Sequence, residues 1–439
     1  MKILGIDIGS SSVKAAVLRD GKVVGDVTRA AFKTRHDGVR VEVDANRVLA
    51  AIAEAVSDVG KAARDVELIA LSVMSPSWVA MNARGKPLTP VITHQDRRSV
   101  DEAIELERRV GKEKFLEAAG NRAVPGGISV TTWLWFQRHE PQALKQADLV
   151  GHLSTLVHRE FTGSRVIDPS NASFTGLYST CDQSGWNDML CDAAGVKKNL
   201  LPDVMESNQI GGKLTRSGAA KLGLTEGMPM LAGIVDTSAA MLLSDAAVGQ
   251  FANNCGSTDV LGLLTARAIP RDNLLTRALG VGRKWMSVQT IAAAGSSLQW
   301  AHDQLFPDLK LPAFYKLVNK LAASDNEDST ADVRFEPYLA GERTSVTQKQ
   351  GSFTGLTLST TRQQLLSAMI ESLAAASAAR IDIFKSLHVP MKRKVMVTGG
   401  GENGLAKLFH RDWPGHWKFY VETEATLRGL CKLSDSAKN

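Results

Sequence analysis

The sequence predicts an α/β protein of two domains, and this prediction depends on two observations. The chain has 439 residues, more than one hydrophobic core usually organises, so two domains of about 200 residues each are expected. Short apolar runs rich in β-branched residues alternate with longer amphipathic stretches, a pattern typical of sheets covered by helices. A change of pattern at residues 244–250 predicts an N-terminal domain of residues 1–245 and a C-terminal domain of residues 246–439.

The predicted elements follow in chain order. Apolar runs predict strands at residues 2–8, 13–18, 22–28, 68–73, 231–235 and 395–398, with further strands from 251 to about 264. Helical periodicity predicts helices at residues 45–59, 101–119, 141–147 and 362–387, and one that begins near Gly295. Residues 170–185 are polar with weak periodicity, which predicts loop and short strand.

The composition is that of a soluble globular protein, with 44% hydrophobic and 22% charged residues. The net charge of +6 is spread thinly and forms no stripe interleaved with aromatic residues, so a nucleic-acid partner is not expected. No apolar run approaches the ~20 residues that span a bilayer, and no membrane partner is expected. The four cysteines have no CxxC spacing, which favours a reduced, cytoplasmic setting. The oligomeric state stays open, with a homodimer as one expectation.

The first candidate site is the segment GIDIGSSSVKAAVL, which begins at Gly5. Asp7 ends a buried strand, and Gly9, Ser10 and Ser11 follow it in a turn whose N–H groups can bind phosphate. A carboxylate at such a position needs a cation or hydrogen-bond donors to stay ionised, and Mg²⁺ fits this need. Lys14 is close enough in sequence to bind a phosphate as a point charge. The alternative is an aspartate that caps a turn.

Two further stretches suggest a nucleotide. Gly256, Ser257 and Thr258 break a strand in NNCGSTDVLGLL, and Gly399 to Gly401 end another in VMVTGGGENG. Three consecutive glycines lose much backbone entropy on folding unless a flat group lies against the main chain, and adenosine is such a group. A simple hairpin turn is the alternative for the Gly256 loop. Together the three stretches predict a chain that grips ATP from two sides.

Two further carboxylates stand outside the glycine loops. Asp236 ends the strand at 231–235 and is a plausible proton acceptor for a hydroxyl that attacks a γ-phosphate. The alternative is that Asp236 caps a helix that begins at Thr237. Asp96 lies in an Asp-Arg-Arg cluster, which is either a salt-bridge cluster on the surface or a clamp for a sugar.

The whole chain resembles the FGGY carbohydrate kinases, within the superfamily of sugar kinases, actin and heat-shock ATPases. The most specific part is the run Tyr338-Leu339-Ala340-Gly341-Glu342-Arg343-Thr344, which continues to Gly351 and Gly355-Leu356 and is similar to the second signature of the family. The Asp7 loop, Lys86-Pro87-Leu88 and Glu424-Ala425-Thr426 add to the resemblance.

The resemblance implies two ribonuclease-H-like, or actin-like ATPase, domains with mixed sheets flanked by helices and a cleft between them. It implies that ATP and Mg²⁺ take part, that Asp236 is the catalytic base and that Asp7 positions the metal. The implied nucleotide-binding residues are Gly9, Ser10, Ser11, Lys14, Gly256, Ser257, Thr258, Gly295, Gly400, Gly401 and Asn403. The implied sugar-binding residues are Met74, Ser75, Trp78, Asp96 and Asp236.

The implied reaction is phosphorylation of a ketose hydroxyl, with a pentulose such as xylulose as the first expectation. Departures from the family bear on the sugar. Ser75-Pro76 stands where glycerol kinases have Arg-Glu and xylulokinases have His-Gly, and Asp236-Thr237 replaces the usual Asp-Asn. The alternatives are a kinase for rhamnulose, sedoheptulose or another polyol, a non-catalytic sensor of sugar or nucleotide, and an ATPase switch without a sugar acceptor.

Overall fold

The computed structural model describes residues 1–323, 332–347, 349–399 and 404–438. The chain forms two compact units. Unit 1 contains residues 1–247, 264–287 and 424–439, and unit 2 contains residues 248–263 and 288–423. The predicted domains, 1–245 and 246–439, are continuous, whereas these units are built from separate segments. Residues 424–439 belong to unit 1 because their helix packs on the first strands of the chain.

The strands of the described residues are β1 (Ile3–Ile8), β2 (Ser12–Arg19), β3 (Lys22–Ala31), β4 (Thr34–Asp37), β5 (Arg40–Val43), β6 (Leu68–Val73), β7 (Ser77–Met81), β8 (Val91–Thr93), β9 (Leu149–Gly151), β10 (Val166–Ile167), β11 (Asp203–Val204), β12 (Ile210–Lys213), β13 (Pro229–Leu231), β14 (Ile234–Val235), β15 (Phe251–Cys255), β16 (Asp259–Thr265), β17 (Leu275–Ala278), β18 (Trp285–Ile291), β19 (Arg334–Glu336), β20 (Ser352–Thr354), β21 (Lys394–Gly399) and β22 (Lys418–Val421).

The helices are α1 (Ala45–Val59), α2 (Val100–Val110), α3 (Lys112–Ala119), α4 (Val130–His139), α5 (Pro141–Leu144), α6 (Leu153–Phe161), α7 (Pro169–Ala172), α8 (Asp188–Ala194), α9 (Arg216–Leu222), α10 (Asp236–Leu243), α11 (Gly295–Leu305), α12 (Leu311–Ala322), α13 (Arg362–Lys385), α14 (Leu405–His410) and α15 (Ala425–Asp435). Among these described helices, none combines the length and the apolar character that crossing a bilayer requires.

The main sheet of unit 1 has the order β12-β13-β6-β1-β2-β3, and β14 also pairs with β6. The chain runs parallel in the pairs of β6 with β1, β13 and β14, and antiparallel from β1 through β2 to β3. Side chains alternate between the two faces of each strand. Leu4, Ile6 and Ile8 join the core with α1, while Gly5 faces Leu427 of α15. Helices therefore cover both faces of this sheet.

Helix α15 approaches its neighbours in unit 1 very closely. A Cβ atom at Gly429 would lie 1.9 Å from the Ala239 carbonyl oxygen of α10, so only glycine fits there. Helix α15 also contacts β1, β2 and β6. The last helix of the chain is thus part of the core that supports the first strand.

A second sheet of unit 1 has the order β4-β5-β8-β7-β9. Its buried face joins an aromatic core in which Trp78 of β7 stacks on Phe136 of α4, with ring centroids 5.0 Å apart.

In unit 2, β15 pairs antiparallel with β16 and parallel with β21, and β21 pairs parallel with β22. Helix α13 is 24 residues long and begins with a capping box, in which the side chains of Thr361 and Gln364 each accept a backbone N–H. It packs against α11, α12 and α14.

The predicted α/β class, with mixed sheets flanked by helices, is confirmed. The helix predicted at 45–59 and the strand predicted at 68–73 have those bounds in the structure. The helix predicted at 101–119 is instead two helices, α2 and α3, because Gly111 at φ 89° cannot continue a helix. Asp236 is the first residue of α10 and Val235 is its N-cap, so the alternative in which Asp236 caps the helix is wrong.

Candidate active site

Asp7 lies near the carboxyl end of β1, where two neighbouring strands supply its surroundings. In the sheet register it stands opposite Lys14 of β2 and Ser72 of β6. The Ser72 hydroxyl donates a hydrogen bond of 2.7 Å to Asp7 Oδ1. The residue keeps some exposed surface, whereas its carboxyl group lies deep enough in the protein for burial to shift its pKa.

Burial raises the pKa of Asp7 from 3.8 to about 6, and repulsion by Asp236 adds to this shift. The hydrogen bond from Ser72 and the charge of Lys14 act in the opposite direction, while Glu424 raises the pKa. Asp7 and Asp236 therefore belong to one electrostatic site. A cation bound between two repelling carboxylates would stabilise both in their ionised form.

Asp236 follows directly on β14, and the sheet explains why it lies near Asp7. Strand β6 runs parallel to both β1 and β14, and Ser72 pairs with Asp7 on one side and with Ile234 on the other. Parallel strands end at the same edge of a sheet, where ligands of α/β proteins bind. Asp236 Oδ1 accepts a hydrogen bond of 2.6 Å from the Thr237 N–H.

The first predicted phosphate loop is held from within unit 1 through its carbonyl groups. Ser10 O accepts from the Thr34 hydroxyl at 2.8 Å and Ser11 O accepts from the Phe32 N–H at 3.0 Å. The side chains of Ser10 and Ser11 are exposed. Gly9 begins the turn with a bond from its N–H to Ser12 O at 3.0 Å. With the carbonyl groups fixed inward, exposed hydroxyl groups remain on the outer side of the turn.

Lys14 has a partner that its sequence neighbourhood does not reveal. Its Nζ lies 2.9 and 2.7 Å from the two carboxylate oxygens of Glu424. Glu424 has φ of 48° and directly precedes α15. The ammonium group is thus held beside Asp7 by the C-terminal helix of the same unit.

The predicted sugar-binding residues do not share one environment. The Met74 N–H donates to Ile8 O at 2.8 Å, next to Asp7, and its side chain is buried. Ser75 is partly exposed, and its hydroxyl lies 3.2 Å from His152 Nδ1. Trp78, in contrast, is only 4% exposed and belongs to the aromatic core beside Phe136.

Asp96 is the centre of a buried salt-bridge cluster. It is 2% exposed, and its Oδ2 accepts from the Val41 N–H at 2.7 Å and from Arg98 Nη2 at 2.8 Å. Arg98 also reaches Glu42 at 2.9 Å. The Asp-Arg-Arg cluster does form salt bridges, but the expectation that they lie on the surface is wrong, because the Asp96 and Arg98 side chains are buried.

The second predicted phosphate loop lies in unit 2 and is joined to the start of α11. The N–H groups of Ala294 and Ser296 donate to Ser257 O at 2.9 and 3.1 Å, and the Gly295 N–H donates to Gly256 O at 3.1 Å. A Cβ atom at Gly295 would lie 2.6 Å from Gly256 O. The structure thus brings together Gly256, Ser257 and Gly295, which the sequence assigns to the nucleotide.

A buried polar network supports the same loop. Asp259, the residue after Thr258, is fully buried and forms an ion pair with Arg380 of α13. Asn253 Nδ2 donates to Asp259 Oδ1 at 2.5 Å, and Asn253 Oδ1 lies 2.7 Å from His410 Nε2. Burial lowers the pKa of His410 to about 4, so its imidazole is neutral at neutral pH. Both ends of the loop are therefore fixed to the core of unit 2.

Gly400, Gly401 and Asn403 lie outside the described residues. Sequence reasoning also missed several buried polar residues of unit 1, namely His152, Asp168 and Arg277. Asp168-Pro169 is a recognisable helix start, because Asp168 caps α7 and proline suits the first helical position. No local pattern marks His152 or Arg277.

Comparisons with known proteins agree with the predicted family. Residues 2–242 match the model of the N-terminal domain of the FGGY family of carbohydrate kinases, and residues 251–405 match that of its C-terminal domain. The chain is 26% identical over 409 residues to xylulose kinase of Escherichia coli K12, covering 91% of this chain and 82% of that protein. It is 26% identical over 433 residues to glycerol kinase of Bacillus subtilis 168, covering 93% and 84%.

Solved structures share the fold. The crystal structure of xylulose kinase from Rhodospirillum rubrum superposes with a TM-score of 0.85 at 22% identity, covering 100% of this chain and 91% of that one. Gluconate kinase from Lactobacillus acidophilus gives a TM-score of 0.85 at 19% identity, covering 100% and 89%. Because both domain models match and together cover most of the sequence, the chain belongs to the FGGY family of carbohydrate kinases, enzymes that transfer phosphate from ATP to a sugar hydroxyl.

Proposed function

We propose that this protein transfers the γ-phosphate of ATP to a hydroxyl of a ketose, with a pentulose such as xylulose as the acceptor. The observation that carries the proposal is that Asp7, near the end of β1, and Asp236, directly after β14, stand beside the same strand β6 and repel each other. Asp7 can then act on the metal and the phosphate groups of ATP, and Asp236 can act on the hydroxyl group of the sugar. The choice of a pentulose is supported by relatives that are named xylulose kinase.

In this proposal Asp236 accepts the proton of the attacking hydroxyl. A carboxylate at the start of a helix is held in place by the backbone, and it needs only to reach the attacking hydroxyl group of the sugar. Its partly exposed side chain satisfies this requirement. The bond from the Thr237 N–H fixes the position of Oδ1.

The residues present fit Mg²⁺. Within the described residues there is no group of three or more metal-ligating side chains, and Mg²⁺ is usually bound by one or two carboxylates together with waters and substrate phosphates. Burial of the Asp7 carboxyl group disfavours its charge, so a divalent cation would stabilise its ionised form. When bound with ATP, Mg²⁺ would neutralise charge that develops on the transferred phosphoryl group.

Each unit has a loop suited to phosphate. In unit 1, Gly9, Ser10 and Ser11 present exposed groups beside Lys14, and in unit 2 Ser257 is exposed on the loop fixed to α11. The nucleotide-binding residues proposed are Gly9, Ser10, Ser11, Lys14, Gly256, Ser257 and Thr258 for the phosphates, and Gly295, Gly400, Gly401 and Asn403 for adenosine. These loops would bind and orient the triphosphate, since positioning supplies most of the catalysis in phosphoryl transfer.

For the acceptor, Ser75 and Asp236 would contact the sugar, since both side chains are partly exposed. Met74, Trp78 and Asp96 would act by shaping the wall behind them, because all three are buried. The four cysteines are free thiols, which is consistent with the cytoplasmic setting that we also propose.

The test compares wild type with Asp236→Asn, using Asp188→Asn at an exposed site of unit 1 as the matched control. Sugar-dependent ADP release and the sugar phosphate product are measured over pentuloses, hexuloses, heptuloses, glycerol and gluconate. We expect a pentulose to be phosphorylated, Asp236→Asn to lose this activity at least 1,000-fold, on the order expected for loss of a general base and its charge, and ATP binding by calorimetry to survive.

Other outcomes overturn parts of the proposal. Undiminished turnover by Asp236→Asn would refute its role as proton acceptor. Turnover of another acceptor but no pentulose would refute the substrate assignment. ATP hydrolysis that no acceptor stimulates would indicate an ATPase switch, and ligand binding without turnover would indicate a sensor.

A further inference from the structure

Both sequence neighbours of Asp236 are held by side chains from other elements of unit 1. Val235 precedes Asp236 and is bonded to α7, while Thr237 follows it and is bonded to β17. The two bonds hold the chain immediately before and immediately after Asp236. They fix the backbone that carries the Asp236 carboxylate.

On the first side, the Val235 N–H donates to the Ser170 hydroxyl at 3.0 Å. The Ser170 hydroxyl in turn donates to Asp168, whose carboxylate also accepts the N–H groups of Ser170 and Asn171 at 2.9 and 3.2 Å. Asp168 and Ser170 are both fully buried. This chain of bonds holds the end of β14.

On the second side, Arg277 Nη2 donates to Thr237 Oγ1 at 2.5 Å. Arg277 is 3% exposed, and its guanidinium lies 5.4 Å from the centre of the Phe174 ring. The next residue of β17, Ala278, donates its N–H to the Ser173 hydroxyl at 3.0 Å. The elements that hold Val235 and Thr237 are thus also bonded to each other, and the frame is closed.

The charge of Arg277 needs an explanation, because burying a guanidinium without an ion pair is unfavourable. Its Nε is buried without a hydrogen-bond partner, and its Nη2 donates to Met286 Sδ at 3.5 Å as well as to Thr237. The charges of Asp236 and Asp168 attract the guanidinium group. This attraction raises the pKa of Arg277, whereas burial lowers it more strongly. The buried guanidinium group of Arg277 is explained if its role is to orient Asp236, the proposed proton acceptor.

We propose that Arg277 and Ser170 are positioning residues that hold Asp236 at the angle from which it takes the proton of the acceptor hydroxyl. The inference rests on the proposed function, in which Asp236 is the proton acceptor. Misplacing a reacting group by about 1 Å can lower a rate by about 100-fold. The hydroxyl of Thr237, where the family has asparagine, then has a defined role as the acceptor of the Arg277 bond.

The test is a double-mutant cycle on Thr237→Val and Arg277→Met, measured as kcat and as KM for each substrate. Thr237→Val keeps the volume of the side chain and removes only the hydroxyl. We expect each variant to lower kcat by about tenfold or more, with KM for ATP within about twofold of wild type. The double variant should be no slower than the slower single variant, because both changes remove one interaction. Ser170→Ala should lower kcat in the same way.

Arg165→Met is the matched control, since Arg165 also donates to backbone carbonyl groups, but those of Asp148 and Asn199, and it forms an ion pair with Asp148. Its kcat should stay within twofold of wild type. If Arg277→Met does not fold, Thr237→Val and Ser170→Ala still decide the proposal. Wild-type kcat in these variants, strictly additive effects, or a rise in acceptor KM with kcat unchanged would overturn it. If Asp236→Asn is inactive and the positioning variants are normal, only this inference fails. An active Asp236→Asn removes the role of Asp236 as proton acceptor, on which the inference rests, and a wild-type protein that forms no sugar phosphate removes the proposed function itself.

Discussion

The Ser72 hydroxyl on β6 donates a 2.7 Å hydrogen bond to the Asp7 carboxylate on the adjacent parallel strand β1. It favours the ionised form of Asp7, whereas burial and the charge of Asp236 disfavour that form more strongly. The pair therefore keeps a destabilised carboxylate at the edge of the sheet. Such a group is expected to reduce the stability of the free protein and to gain its counter-charge from a ligand.

Asp7 should make the stability of the metal-free protein fall with rising pH. Its pKa is 3.8 when unfolded and about 6 when folded, so between these values the folded state binds more protons and the free energy of unfolding decreases as pH increases. Asp7→Asn should remove this decrease and be roughly 1–3 kcal/mol more stable than wild type at pH 7. Urea denaturation in a chelator from pH 4 to 7 measures both, and parallel curves for the two proteins would contradict the prediction.

The buried ion pair of Arg380 with Asp259 should be essential to unit 2. Arg380 is 2% exposed, and its removal leaves the Asp259 carboxylate buried without its cation. Arg380→Met is expected to destabilise the protein by about 3–5 kcal/mol. Lys385→Met, on the same helix but in an exposed pair with Asp382, should cost less than about 0.5 kcal/mol. Equal losses in thermal or chemical denaturation would show that burial of the pair does not matter.

Gly295→Ala should weaken ATP binding without affecting the acceptor. The new methyl group would meet the Gly256 carbonyl oxygen at 2.6 Å, which forces the loop of residues 256–258 to move. We expect KM for ATP to rise by about tenfold, equivalent to about 1.4 kcal/mol, while KM for the sugar changes little. Gln299→Ala, at an exposed position of the same helix, is the control. An unchanged KM for ATP in Gly295→Ala would disconnect this loop from the nucleotide.

Substitutions at Lys14 and Glu424 should change the stability of the protein little but should differ in their effect on ATP binding. Their pair is partly exposed, with side chains 23% and 31% accessible, so breaking it should cost less than about 1 kcal/mol. Lys14→Met should weaken ATP binding by about tenfold, because it removes the ammonium group that would pair with the phosphates of ATP. Glu424→Gln keeps that charge and should bind ATP at least as well as wild type. Calorimetric titration of both variants with ATP checks this. If both variants lose ATP affinity equally, Lys14 acts only by holding Glu424 in place and does not contact the phosphates.

Much of the fold could be predicted because local patterns determine it. Short apolar runs define β1 and β6, and the amphipathic run with Asp44 as its cap defines α1. The break between α2 and α3 depends on a single glycine, which helical periodicity does not weigh. The return of residues 424–435 to unit 1 depends on packing against strands made some 400 residues earlier, and no local signal encodes that.

The candidate site divides in the same way. Asp7, Asp236 and the Gly256 loop stand at strand ends, where the residue types by themselves indicate chemistry. The partners that tune them come from distant segments, as with Glu424 beside Lys14 and Arg277 beside Thr237. For Trp78 and Asp96 the family resemblance implied a contact with the sugar, but their burial could be learned only from the packing of the second sheet.

Helix α15 also has a consequence for synthesis of the protein. The ribosome makes residues 288–423 of unit 2 before it makes the helix that covers β1 and contacts α10. The nascent first unit therefore has one apolar sheet face open to solvent until residues 425–435 have been made. Incomplete units of this kind are prone to aggregate, so chaperones should engage the growing chain at that face, and release from them should follow the arrival of residues 425–435.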